Sequence, residues 1–195
     1  MNLSVIPLTS KKKDGKFSFF DELKKIFHGN KIMIENGDVI VISSKFISIS
    51  QGRVLKIDKT RVCNKAKQIS KKFNSDEKFV EIVFRESDNI LGGVAGFVMS
   101  SADGILAPNA GIDKSNSKGT EIILYPVEPY KFAEEVKRKI FLEFNLHVGI
   151  IVVDSRLMPT RIGTTGVTIA CAGIEPTKDL RGNKDLDGNP LKVTF

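Results

Sequence analysis

The strongest constraint on the fold is a change of hydrophobic period between Tyr130 and Val153. Phe132, Val136, Ile140 and Phe144 recur every four residues and drift slowly round one face, which predicts an amphipathic helix over 130–145. Directly after it, His147-Val-Gly-Ile-Ile-Val-Val153 is a continuous apolar run of strand length that ends in Asp154-Ser155. A strand apolar throughout is buried, and helices have to cover it. The expected class is α/β: one domain over 1–195, with a mixed sheet and flanking helices.

The other elements are read on the same rules. Leu3–Pro7 reads as an opening strand, and Phe19, Phe20, Leu23, Ile26 and Phe27 as a helix with Ser18 available as its cap. After the Asn36-Gly37 turn come a β-rich run, Asp38–Ile42, a second extended piece at Phe46–Ile49, and a break at Gly52. Thr60–Phe73 and Ser75–Arg85 are expected as helices divided at Asn74, the second capped by Ser75 with Phe79, Ile82 and Val83 turned inward. Apolar pieces at Val94–Met99 and Ile105-Leu106 lead to a polar loop, Asn109–Gly119, and a strand, Glu121–Tyr125, stopped by Pro126 and Pro129. Short extended pieces are expected at Val167–Cys171 and Leu191–Phe195.

Composition narrows the chemistry. At 195 residues and 41% hydrophobic, the chain can bury a full core and is no disordered segment. The only cysteines are Cys63 and Cys171 and the only histidines His28 and His147, so neither a disulfide framework nor a thiolate or imidazole zinc site can be assembled. A metal would have to be held by oxygen, which points to magnesium or manganese. No secretion signal is visible at the start, and no apolar run approaches the ~20 residues of a spanning helix, so a soluble cytoplasmic protein without membrane contact is expected. The net charge of +7 reads as solvated helix faces, for example Lys65, Lys67, Lys71 and Lys72 around Ala66 and Ile69. With no zinc-finger spacing, no ribonucleoprotein motif and no Trp, nucleic acid is not an expected partner.

The common nucleotide and nucleophile signatures are missing: no Gly-x-x-x-x-Gly-Lys-Ser/Thr, no Gly-x-Gly-x-x-Gly after a strand, no Gly-x-Ser-x-Gly elbow. Asn183-x-Asp185-x-Asp187-Gly188 imitates the front of a calcium loop, but its first ligand is Asn and Thr194 stands where a bidentate Glu is needed, so two turns are the better reading. Two aspartates are more informative. Asp154 is expected at the carboxyl end of a buried strand, where ligands collect in open α/β sheets. Asp113 lies in Asn109-Ala-Gly-Ile-Asp-Lys-Ser-Asn116, whose small residues let backbone approach a ligand.

Read in order, the chain resembles the coenzyme F420-0:L-glutamate ligase family. The pieces that carry the resemblance are Gly37-Asp38-Val-Ile-Val-Ile-Ser-Ser44 with Ile47-Ser48 and Gly52-Arg53; Glu86-Ser87 with Ile90-Leu91; Asn109-Ala-Gly-Ile-Asp-x-Ser-Asn116; Val153-Asp154-Ser155; Arg161-x-Gly163-x-x-Gly166; Ala172-Gly173-Ile174; and Lys178-Asp179-x-x-Gly182-x-x-Asp185-x-x-Gly188-x-x-Leu191-x-Val-Thr194. The resemblance implies an acid-amide ligase with GTP as co-substrate, in which an acyl phosphate of the F420 precursor is attacked by the amine of L-glutamate. It implies Asp113, Asp154 and Ser155, where relatives usually have Thr, as ligands of Mg2+ or Mn2+, and Ser44, Lys45 and Asn116 as nucleotide contacts. Phosphoryl transfer needs a divalent cation, and hard carboxylates from separate loops suit one. Arg161 is the candidate for gripping the acidic substrate or the transferring phosphate, because a guanidinium fork suits either.

The chain departs from the family pattern at three places. Ile49 stands where relatives carry a nucleotide-contacting lysine; Lys45, four residues earlier on the expected strand, would share its face. Thr9-Ser-Lys-Lys-Lys-Asp-Gly15 replaces a Gly-Leu-Pro segment. Relatives also continue past the Val-Thr that matches Val193-Thr194. The resemblance therefore leaves three expectations: a homodimer, a separate chain supplying the remaining segment, or a shortened non-ligating paralogue or partner subunit that binds a nucleotide or phosphorylated carboxylate.

Overall fold

A computed structural model describes residues 3–114, 120–157 and 162–194. The architecture is mixed α/β. Helix α1 (Phe19–Gly29) follows Ser18, whose side chain makes no capping bond, and opens with Asp21 and Glu22, which complement the positive end of the helix dipole. Strand β1 (Val39–Ser43) runs straight into a short helix, α2 (Ser44–Ser50), so the extended piece expected at Phe46–Ile49 is helical. Packing overrides the β-leaning isoleucines there, because a helical turn buries Ile47 and Ser48 together. Strand β2 (Val54–Lys56) leads through a single 3-10 turn to α3 (Asn64–Phe73) and α4 (Glu77–Glu86). Both helices are capped by side chains: Cys63 Sγ accepts from the Ala66 amide and Asp76 from the Phe79 amide at 2.8 Å. The cap of α4 is thus Asp76 and not Ser75, whose amide instead donates to the Ser70 carbonyl.

Next comes an antiparallel meander, β3 (Asn89–Val94), β4 (Phe97–Ala102) and β5 (Ile105–Pro108). Its second turn is Asp103-Gly104, both with positive φ, as a tight hairpin requires. Strand β6 (Glu121–Ile123) pairs antiparallel with β2. Helix α5 (Pro129–Phe144) opens with Pro129, whose missing N–H costs nothing at that position, and ends on left-handed Asn145. It buries Ala133, Val136 and Ile140, while Phe144 is exposed at the far end.

The final pair, β7 (Gly149–Leu157) and β8 (Thr164–Ala172), is a long antiparallel hairpin. Strand β1 lies parallel to β7 on the other side, Ser43 opposite Val153, so the sheet order is β1-β7-β8 and the sheet is mixed as expected. Strand β7 does not stop at Asp154. It carries Asp154, Ser155 and Arg156 onward, paired to Val167, Gly166 and Thr165. No strand forms over 3–7, where Leu3, Val5 and Ile6 stand exposed, and the piece expected at 191–195 is no strand either, through Thr194. Residues 180–194 close on themselves through backbone bonds, and Asp185 accepts from the Asp187 and Asn189 amides, the turn reading of that segment.

Two apolar clusters result. One joins α1, α2 and α5 to the β1-β7-β8 sheet around Ile47, Ile140, Ile150 and Val152. The other joins α3 and α4 to the meander and β6 around Phe79, Val80, Val83 and Val98.

Candidate functional site

At the seam between the two clusters lies a cleft of about 550 Å³ whose walls include Ser44, Lys45, Asp113, Tyr125, Asp154, Ser155 and Arg156. The parallel pairing of β1 with β7 creates it. Where β1 ends, Ser44 begins α2 beside the longer β7, and its hydroxyl donates to Asp154 Oδ1 at 2.9 Å. Lys45, in the same helical turn, reaches across the seam to Asp113, Nζ to Oδ2 2.5 Å.

Asp113 is presented by a turn of three successive left-handed residues, Asn109, Ala110 and Gly111, with φ of 53°, 54° and 67°. Such backbone persists only where the surroundings hold it. Here the Asn109 side chain accepts from the Val98 amide, the Ala110 amide donates to the buried Ser100 hydroxyl, and Asp113 exchanges both backbone bonds with Ile123. A Cβ on Gly111 would stand 2.6 Å from Cδ2 of Tyr125. The small residues of this segment therefore accommodate the protein's own Ser100 and Tyr125 rather than only leaving room for a ligand.

The floor of the cleft is Arg156, 4% exposed. Its Nε donates to Asp154 Oδ2 at 2.8 Å, its Nη1 to the Leu106 carbonyl at 2.7 Å, and its guanidinium carbon lies 5.6 Å from the centre of the Tyr125 ring. Among the described residues, neither Arg156 Nη2 nor the buried Tyr125 hydroxyl has a hydrogen-bond partner. Burial pushes the Tyr125 phenol up to about 12, against the pull of the Arg156 cation beside it. Arg156 and Tyr125 are absent from the sequence-based set of site residues. The missed signal is strand alternation: once β7 is carried past Asp154, Arg156 two residues on shares its face.

Of the residues singled out from sequence, Ser44, Lys45, Asp113, Asp154 and Ser155 all line this cleft. Asn116 and Arg161 lie outside the described residues. Lys45 and Ile49 stand one helical turn apart on α2 and line a second cleft of about 400 Å³, bordered by Lys11, Lys12 and Lys13, that shares Ser43, Lys45 and Ile123 with the first. The donor chemistry fits a hard divalent cation: two carboxylates and the Ser44 hydroxyl that donates to one of them, with Ser155 also on the cleft wall. Among the described residues no group of three His, Cys, Asp or Glu side chains forms a closed cage, so such an ion would also need oxygens from a ligand or from water. Among the described residues no helix is long and apolar enough to cross a membrane.

A family model described as F420-0:gamma-glutamyl ligase matches residues 6–195. The chain is 29% identical over 196 aligned residues to the coenzyme F420:L-glutamate ligase of Methanopyrus kandleri, covering 100% of this chain and 75% of that protein. It is 32% identical to the enzyme of the same name from Archaeoglobus fulgidus (89% of this chain, 70% of the relative), and 35% identical to that from Methanocaldococcus jannaschii (83% and 65%).

Proposed function

We propose, from the premise that this chain belongs to the F420-0:gamma-glutamyl ligase family, that it joins L-glutamate to the coenzyme F420 precursor at the cleft between its two apolar clusters. The reaction is an acid-amide ligation with GTP as co-substrate. The γ-phosphoryl group passes to the precursor's carboxylate oxygen, leaving GDP; the glutamate amine then attacks the acyl carbon, loses a proton and expels phosphate. The observation that carries this reading is the convergence of Asp113, from the loop after β5, and Asp154, from strand β7, with Ser44, Lys45 and Ser155 on one cleft.

A divalent cation, Mg2+ or Mn2+, would be held by Asp113, Asp154 and Ser155 and would supply charge neutralisation for the triphosphate. The chain's own residues do the rest. Ser44 and Arg156 hold the Asp154 carboxylate by both oxygens, fixing its direction before any ligand arrives. Lys45 offers a cation on a flexible stem at the junction of the two clefts, placed to meet phosphate oxygens, and Asn116 contributes a further nucleotide contact. Arg161 is assigned to the acidic substrate or the transferring phosphate. A cytoplasmic homodimer is part of the same reading.

The test is calorimetric titration of the purified chain with GTP, with and without Mn2+, followed by a ligation assay with F420 precursor and L-glutamate. Metal-dependent GTP binding and glutamate incorporation are expected, and Asp113→Asn should abolish both. Turnover unchanged in Asp113→Asn would refute the metal assignment. Binding without ligation would instead favour the nucleotide-binding paralogue, a reading supported by Ile49 in place of the family's lysine.

A further inference from the structure

An unpartnered buried donor costs stability, and a cleft wall that keeps two of them together is shaped for a group the protein does not itself supply. Arg156, 4% exposed, and Tyr125, 5% exposed, both line the first cleft. Arg156 commits Nε to Asp154 and Nη1 to the Leu106 carbonyl. Among the described residues nothing accepts from its Nη2, and the Tyr125 hydroxyl has no hydrogen-bond partner. In a guanidinium, Nη2 shares an edge with Nε, and that edge is the one that grips two oxygens at once. Asp154 takes only the Nε half of it, so an oxygen bound at Nη2 sits beside the Asp154 carboxylate. The Tyr125 hydroxyl is near enough for the Arg156 cation to pull its pKa down against burial. Pushed up to about 12 on balance, the phenol keeps its proton at neutral pH and is available as a donor.

Resting on the function proposed above, we infer that Arg156 Nη2 and the Tyr125 hydroxyl together receive one oxygen of the acyl substrate's carboxylate, the group that is activated. Two donors, one of them a fixed cation, are complementary to an anionic oxygen. Their place in the cleft assigns that oxygen to the acid rather than to the triphosphate: Arg156 and Tyr125 line the first cleft alone, whereas Lys11, Lys12 and Lys13 border the second. Phe97, Pro108 and Leu157 also line only the first, and their apolar surface suits the uncharged body of an acid. Both donor atoms are shielded from bulk water, so a side-chain shift in the wall admits the oxygen, and its bonds form in a low-dielectric site where they are strong. The Arg156 cation then touches both this oxygen and Asp154 and offsets their repulsion. Held by one oxygen, the carboxylate is oriented with its second oxygen left for the γ-phosphoryl group.

The experiment titrates wild type, Tyr125→Phe and Arg156→Lys calorimetrically with F420 precursor, with GTP and with L-glutamate, each in the presence of Mn2+, and measures the urea stability of each protein without ligand. Tyr125→Phe keeps the ring and removes only the hydroxyl. It should be as stable as wild type or more so, because an unpartnered buried group is gone, yet bind the precursor roughly tenfold or more weakly with GTP affinity unchanged. Stability and affinity moving in opposite directions is a result that a packing role alone does not produce. Arg156→Lys keeps the charge and loses the fork, so it should also weaken precursor binding, and in the double variant the two losses should not add, because both donors hold one oxygen. If Arg156→Lys does not fold, Tyr125→Phe decides alone. Precursor bound equally by Tyr125→Phe and wild type overturns the inference and leaves the proposed function standing; the same result with lowered stability shows the hydroxyl already satisfied within the fold or by a buried water. A loss confined to GTP or to glutamate gives the donors to another ligand and overturns the assignment to the acyl carboxylate. Wild type binding neither precursor nor GTP overturns the proposed function, and the inference falls with it.

Discussion

Replacing Arg156 with Met tests whether the cleft floor is a strut. The substitution keeps most of the aliphatic stem and removes the charge. It deletes the bond to Asp154 at 2.8 Å, the bond to the Leu106 carbonyl at 2.7 Å and the stacking on Tyr125. Breaking a fully buried ion pair by removing one partner costs about 3–5 kcal/mol. Asp154 is 17% exposed and keeps the Ser44 hydroxyl, so part of its charge is rehydrated and the cost falls below that range. The Leu106 carbonyl loses a charged donor, about 1.5–3 kcal/mol at most, and regains some of it from water on its half-open strand. Packing of the Met side chain on Tyr125 offsets a little more. The expected net destabilisation is about 2–4 kcal/mol, which for a chain of this size lowers Tm by roughly 4–16 °C. Urea unfolding followed by far-ultraviolet circular dichroism reads the free energy directly, and adding Asp154→Asn closes a double-mutant cycle. The second change should be far milder in the Arg156→Met background than alone, because alone it strands a buried cation. A single-variant effect inside about 0.5 kcal/mol, the range of unremarkable surface changes, would refute the strut.

Gly111→Ala places a methyl 2.6 Å from the Tyr125 ring at a φ of +67°, so it should cost about 1–3 kcal/mol and displace the Asp113 loop; an unaltered melting curve together with unaltered Mn2+·GTP affinity would contradict it. Glu81, buried on α4, accepts the Cys63 amide at the start of α3 and the Arg85 guanidinium, and these bonds, the Cys63 amide foremost, hold its carboxyl below the usual 4.5. A depressed pKa contributes stability at neutral pH that is lost as pH falls below 4.5, so Glu81→Gln should be less stable than wild type near neutrality and flatten the acid limb of the stability curve. Parallel acid limbs in the two proteins would remove Glu81 from the account. With Tyr130→Phe isolating the other tyrosine, absorbance at 295 nm should report Tyr125 ionising near 12 and not near 10, and because the raised phenol favours its neutral form, stability should decline as pH climbs from 10 toward 12. A tyrosinate signal complete by pH 10 in folded protein would count against burial of that hydroxyl.

Where pattern and packing agreed, the chain was readable. Helix α5 and the apolar start of β7 declare themselves because burial there follows the intrinsic period of each element. Errors occur where the two conflict. Phe46–Ile49 reads as extended from its isoleucines, yet α2 forms because burying Ile47 and Ser48 requires a helical turn after β1. Leu3–Pro7 has the pattern of a strand, but a strand exists only with a partner, and among the described residues none is paired to it. From sequence, strand β7 reads as ending at Asp154 because its continuation, Asp154-Ser155-Arg156-Leu157, lines a polar cleft and so loses the apolar signal that marks a buried strand. The carboxylates and their neighbours were legible through local motifs. Arg156 and Tyr125 were not, since their meaning lies in contacts to Leu106 and Gly111 that no local spacing encodes.

The placement of those contacts binds the site's chemistry to the stability of the fold. Lys45 belongs to the helix packed in the first apolar cluster and Asp113 to the loop packed in the second; Arg156 on β7 likewise reaches Leu106 on β5. Both polar ties therefore cross the same seam. Loosening either one weakens the docking of the two clusters on each other, so a substitution at Lys45 or at Arg156 acts on the stability of the fold as well as on the cleft, and the two effects should not be additive because the ties share one interface.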